Sequence, residues 1–131
     1  MGARDRHRHF DCRIGVAARE DAQPGDRWAP NPVPPSPQSL EAGKRIYRAQ
    51  CQVCHSVDGH GNGPAAAAQF PRPTDFVAHF ASGHIHSGGR FFFWVSEGIG
   101  GTAMPAFKDR LSETERWDVV NFLKTFTPTE R

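Results

Sequence analysis

Cys51-Gln52-Val53-Cys54-His55 decides how the rest of the chain is read. In a helical turn Cys51, Cys54 and His55 stand at i, i+3 and i+4, so all three side chains leave one face. C-x-x-C-H is the attachment signature of c-type haem: each thiol adds to a porphyrin vinyl group and the adjacent imidazole ligates the iron. Two other chemistries compete for the cysteines. A dithiol redox pair wants a βαβ context, which the flanking sequence does not offer. A zinc site wants a second ligand pair; the remaining cysteine is Cys12, and His84 with His86 would have to supply the pair.

A haem iron asks for a second axial ligand. The chain has 2 methionines, Met1 and Met104, so Met104 is the one internal thioether. It lies in Gly98-Ile99-Gly100-Gly101-Thr102-Ala103-Met104-Pro105-Ala106-Phe107. Glycines there let the backbone approach a flat ligand, and Pro105 biases Met104 toward an extended conformation. Most methionines are gap-fillers in a core, but beside a haem signature Met104 becomes the candidate distal ligand, and His/Met ligation implies a raised potential.

From Ser39 to Phe126 the chain resembles a monohaem class I cytochrome c. The resemblance rests on the Cys51–His55 motif, the Met104-Pro105 loop and a terminal amphipathic helix. Asn31-Pro32-Val33-Pro34, Gly61-Asn62-Gly63-Pro64-Ala65-Ala66 and Gly101–Phe107 are further similar to bacterial cytochrome c domains fused behind copper-resistance-D-like membrane segments. The resemblance implies an all-α fold with crossed N- and C-terminal helices around one covalently bound haem c. It implies attachment through Cys51 and Cys54, and iron ligation by His55 and Met104. A ligating imidazole usually donates its other N–H to a carbonyl; in the family a proline after a glycine provides it, which points to Pro64. Gly43 and Tyr47 should meet Val119 and Phe122 where the helices cross.

Three regions follow: a tail and proline-rich linker over 1–38, a haem domain over 39–127, and a short tail over 128–131. Arg4–Arg13 is mixed in charge and Pro24–Pro37 is rich in proline, which favours an extended, solvated linker. His7, His9 and Cys12 fall in that tail, where unstructured residues are the simpler reading than a metal site. The first folded helix is predicted to open at Ser39, with Leu40, Gly43, Tyr47 and Cys51 on one stripe. Ser112-Glu113-Thr114-Glu115 is a capping box, and the helix after it carries Val119, Phe122, Leu123 and Phe126 on another stripe. Ser56–Pro73 reads as a loop over one haem face, Thr74–Phe80 as a short helix, and Arg90–Glu97 as a helix ending at Gly98. Phe91, Phe92, Phe93 and Trp94 cannot all face one way, so some are expected to line the haem.

The net charge of +2 is divided evenly between residues 1–38 and the remainder, which gives no basic patch for nucleic acid. No apolar run approaches the length of a membrane-spanning helix. Met1–Glu20 carries Arg, Asp and His without an apolar core, so no secretory signal is legible. Since c-type haem is attached on the periplasmic side in the family resembled, the expectation is a misassigned start, a lost upstream segment, or export as part of a larger polypeptide. The expected function is one-electron transfer between transient redox protein partners at or near the periplasmic face of the inner membrane. No substrate turnover, small-molecule substrate or nucleic acid is expected. Two alternatives stay open: a five-coordinate haem acting as gas sensor or peroxidase-like protein, and a copper-handling accessory using His84 and His86.

Overall fold

The computed structural model describes residues 30–83 and 88–127, and among them there is no β-strand. Among the described residues five α-helices form the frame: α1 (Pro37–Ile46), α2 (Gln52–His55), α3 (Phe76–Ala81), α4 (Gly88–Glu97) and α5 (Glu113–Leu123). A π-helical turn over Tyr47–Cys51 joins α1 to α2, and 3₁₀ turns sit at Ala66–Ala68 and Lys124–Phe126. The predicted Thr74–Phe80 helix starts two residues later, because the Asp75 side chain accepts the Ala78 N–H as its N-cap. The predicted Arg90–Glu97 helix starts two residues earlier, at Gly88. The residues expected as one loop after the motif contain the Ala66–Ala68 turn.

The N-terminal and C-terminal helices pack on each other where Gly43 meets α5, and the reason is steric. A Cβ built on Gly43 would run into the Asp118 carbonyl oxygen and lie 2.9 Å from the Phe122 Cβ. Hydrogen in place of a side chain therefore lets two backbones touch. One turn on, Tyr47 packs its ring 5.2 Å from Phe122 and 5.5 Å from Phe126, and it shares the central core with Val119 and Val120. The family-implied meeting of Gly43 and Tyr47 with Val119 and Phe122 is thus the observed crossing. The C-terminal helix begins with the expected capping box, since the Ser112 hydroxyl accepts the Glu115 N–H at 3.1 Å and Glu115 accepts the Ser112 N–H at 2.8 Å. Its outer flank packs on α4, where Phe92 stacks on Trp117 at 4.0 Å and Arg116 donates to the Ser96 hydroxyl at 2.7 Å.

The first helix opens at Pro37, with Ser36 as N-cap accepting the Ser39 N–H at 3.1 Å, where the sequence reading had it open at Ser39. The proline-rich approach is also seated on the domain at its end. Asn121 donates to the Val33 carbonyl at 3.1 Å and to the Ser39 hydroxyl at 2.9 Å, and it accepts from Asn31 at 2.7 Å. Ser39 in turn donates to Asp118 at 2.6 Å. Proline lacks an N–H but keeps its carbonyl, so an extended proline-rich strand still offers acceptors to a buried amide. Residues 1–29 and 128–131, with the tails assigned to them, lie outside the described residues.

Asn121 is 6% exposed, so its removal leaves several buried partners unsatisfied. Asn121→Ala is expected to cost about 2 kcal/mol of stability, read as a lowered midpoint in urea with unchanged slope. A protein as stable as the wild type would rule this tie out as a structural element.

Candidate haem-binding site

The Cys-His turn is built by widening a helix and then capping it. The π-helical turn over Tyr47–Cys51 adds a residue to the helical repeat just before the motif, an irregularity common at functional sites. The motif ends at Ser56, whose φ of 71° breaks the helix. The Tyr47 hydroxyl locks that ending by donating to the Ser56 carbonyl at 2.6 Å, and burial raises the pKa of the phenol. The carbonyls left at the end of α2 are then met by the next loop: Gly61 N–H donates to the His55 carbonyl at 2.9 Å, Gly63 to Cys54 at 3.0 Å and Ala65 to Val53 at 2.9 Å. The loop comes this close because Gly63 has no Cβ; one built there would lie 2.5 Å from the Val53 oxygen.

An open cleft lies against this turn. Cys51, Cys54 and His55 line it from the motif, and Ile99, Thr102, Ala103, Met104 and Pro105 line it from the later loop. Pro71, Arg72, Pro73 and Thr74 close part of the rim. Four of the five residues singled out from the sequence therefore share one cleft. Cys51 and Cys54 are free thiols, both half-buried. Burial, with Cys54 as a smaller contribution, pushes the Cys51 thiol up to about 12, and the Gln69 amide donates to the Cys54 sulfur at 3.1 Å.

His55 is held on its edge and on its face. Its Nδ1 lies 3.1 Å from the Thr74 carbonyl oxygen; a carbonyl only accepts, so Nδ1 carries the proton and Nε2 keeps its lone pair. Phe76 stacks on the ring, with centroids 4.6 Å apart and planes 22° from parallel, and Phe126 stacks behind Phe76 at 5.9 Å. Burial lowers the His55 pKa, partly opposed by the Thr74 bond, which keeps the ring in the neutral form that ligates metal.

The carbonyl assigned to this job from the sequence was that of Pro64; the one at hydrogen-bond distance is Thr74's. Pro64 itself is exposed. The Gly63-Pro64 turn is committed to capping the end of α2, while the extended Pro71–Thr74 strand supplies the acceptor for the ring. No side-chain signal marks Thr74, because its contribution is a backbone oxygen. The aromatic run also differs from expectation: none of Phe91, Phe92, Phe93 and Trp94 lines the cleft. Phe91 enters the core against Phe80 and Phe92 stacks on Trp117. Phe107 lines the cleft instead.

The Met104 loop is fixed through its backbone. Gly98 ends α4 with φ of 75°. The Thr102 hydroxyl donates to the Ile99 carbonyl at 2.7 Å and accepts the Met104 N–H at 3.1 Å. Phe107 N–H donates to the Val95 carbonyl at 3.0 Å, which ties the far end of the loop to α4.

Two thiols on one helical turn, a neutral imidazole beside them and a thioether in a mostly apolar cleft form a donor set that suits a covalent haem. Among the described residues no group of three or more His, Cys, Asp or Glu side chains is placed to hold a metal ion, and no helix is long and apolar enough to cross a membrane. His84 and His86, weighed as zinc or copper ligands, and His7, His9 and Cys12 lie outside the described residues.

The family described as cytochrome c matches residues 40–127. Among solved structures, the chain is similar to one from the Kuenenia stuttgartiensis reducing HAO-like protein complex Kustc0457/Kustc0458, with TM-score 0.66 and 30% identity over 74% of this chain. It spans 47% of that chain, about half its length. It is also similar to the c-type cytochrome KustC0563, with TM-score 0.52 and 25% identity, covering 66% of this chain and 98% of that one. No curated protein matches the sequence.

Proposed function

The chain belongs to the cytochrome c family, whose members carry a covalently bound c-type haem, and from that premise we propose that it is a one-electron carrier with His55 and Met104 as axial ligands. The observation that carries this reading is that Met104, the one internal methionine, lines the same cleft as Cys51, Cys54 and His55. When bound, the haem would supply one-electron redox chemistry at its iron, with His55 and Met104 as the residues that would ligate it.

The residues divide the remaining work. Cys51 and Cys54 hold the group through two thioether bonds. His55 offers Nε2 as ligand while the Thr74 carbonyl takes the Nδ1 proton, which orients the ring and raises its basicity. Thr102 anchors the Met104 backbone, and Ile99, Ala103, Pro105 and Phe107 present an apolar lining, which would favour the less charged ferrous centre of a bound haem. Partners are redox proteins that dock weakly and transiently. The compartment is the periplasm or the periplasmic face of the inner membrane, where bacterial c-type haem is attached.

The test is an optical spectrum of protein matured by a c-type haem system, ferric and ferrous, for the wild type and Met104→Ala. Thioether ligation gives a weak charge-transfer band in the red region of the ferric wild-type spectrum, lost in the variant. A wild type that already lacks the band and shows high-spin features overturns His/Met ligation and moves the gas-binding or peroxidatic reading ahead.

A further inference from the structure

Two side chains outside the cleft close a ring of contacts around the held imidazole. The His60 Nδ1 lies 3.3 Å from one Asp75 carboxylate oxygen and 3.4 Å from the other. Their backbones meet on either side of that contact. The carbonyl of Gly59, before His60, accepts the Phe76 N–H at 2.7 Å, and the N–H of Gly61, after it, donates to the His55 carbonyl at 2.9 Å. A Cβ on Gly61 would lie 2.6 Å from the Pro73 oxygen, so the two segments touch. Asp75 in turn stands between Thr74, whose carbonyl oxygen receives the His55 ring at its edge, and Phe76, which lies on the ring's face. Among the described residues the charged groups facing His60 are Asp75, at the head of α3, and Asp58, two residues back on its own loop. Both carboxyls are held below the usual carboxylate range, Asp58 chiefly by the Ser56 hydroxyl and Asp75 chiefly by the Ala78 N–H. Both are therefore ionised wherever an imidazole titrates.

The two side chains are 46% and 39% exposed, and an ion pair that open to water is worth little to stability. Its placement is what sets it apart. We infer that His60 and Asp75 are positioning residues for the axial imidazole, a clasp between the loop after the motif and the strand before α3 that tightens when His60 is protonated. The inference rests on the cytochrome reading. The two nitrogens of an imidazole point nearly opposite ways, so a carbonyl on Nδ1 lies close to the axis along which Nε2 would meet a metal. Such a bond holds the ring without stopping it from turning about that axis. The residues beside the carbonyl must stop the turn, and the clasp holds them in place. A proton on His60 also sets a positive charge near the ligand, which favours the reduced state. Reduction by a redox partner then draws protons from solvent onto His60, and oxidation returns them. The potential is highest with His60 protonated and falls as pH rises through its titration.

The test uses the full chain matured with haem, as wild type, His60→Asn and Asp75→Asn, with haem per chain and thermal melts taken first. Asparagine at 60 keeps a side-chain N–H donor and loses the charge. Asparagine at 75 keeps the N-cap of α3 and loses the ion pair. Both variants should therefore mature and melt like the wild type. Spectroelectrochemistry reads the potential from about pH 5 to 8, where an imidazole changes charge. Proton NMR of the ferric protein reads the haem-methyl shifts, which follow the orientation of the axial imidazole. The expected wild-type potential falls with pH through one inflection, and the haem-methyl shifts titrate at the same midpoint. His60→Asn should be flat in both, and Asp75→Asn should move the inflection to lower pH. A flat wild-type potential, or a His60→Asn protein with the wild-type profiles, overturns the inference and leaves the carrier reading intact. A potential that titrates while the haem-methyl shifts stay fixed also overturns it, since charge alone is then acting. A wild type that matures without covalent haem overturns the carrier reading itself, before any variant is compared.

Discussion

Gly43→Ala is expected to lower the melting temperature of the haem-loaded protein by roughly 10 to 15 °C. Helix propensity predicts the opposite sign, since alanine is favoured over glycine inside a helix by about 1 kcal/mol. That gain is outweighed here by contact. The added methyl would collide with the Asp118 carbonyl oxygen and approach the Phe122 Cβ, and one of those obstacles is backbone, which cannot rotate away. Overpacking of this kind costs about 3 kcal/mol, leaving a net loss near 2 kcal/mol, and a domain of this size loses about 4 to 8 °C per kcal/mol. Thermal melts followed by far-UV circular dichroism decide it. A melting temperature equal to or above the wild type would mean that α1 and α5 do not touch at this residue.

Gly98→Ala is expected to damage stability and iron coordination together. The φ of 75° at Gly98 costs a non-glycine residue about 1 to 2 kcal/mol. The new Cβ would also lie 2.9 Å from the Met104 carbonyl oxygen and 2.9 Å from the Pro105 carbonyl carbon. Relief requires the peptide that carries Met104 to move. The expected result is a melting temperature lower by about 10 °C and a ferric spectrum in which the red thioether band is weakened relative to wild type. An unchanged melting temperature would refute the close approach. A lowered one with no band in either protein would uphold it while removing Met104 from the iron.

These two glycines illustrate what could be read in advance. Gly43 was legible because an isolated glycine on a helix stripe needs a reason, and the capped terminal helix supplied the facing surface. The Cys51–His55 motif and Met104 were legible because their chemistry lies in side-chain identity and in the scarcity of thioethers. Thr74 was not, because every residue has a carbonyl and the fold decides which one faces a ring. Phe91–Trp94 misled because aromatic side chains signal burial without saying against what: Phe91 packs on Phe80 of α3 and Phe92 on Trp117 of α5, while Phe93 is exposed. The docking of Asn31–Pro34 was hidden by composition: proline-rich chain is the usual choice for a linker, and its value as a row of acceptors depends on Asn121 far along the sequence.

The grip on His55 has a consequence for speed. A carbonyl holds the imidazole at its edge and Phe76 lies flat against its face, with Phe126 as a second layer. A ring wedged in this way keeps its attitude when the charge beside it changes by one. With His55 as the proposed iron ligand, little nuclear rearrangement would accompany each oxidation or reduction on that side, and the activation barrier for electron transfer would fall with it. The aromatic core, which reads as mere stability in a melt, would show itself in solution as a faster exchange of electrons.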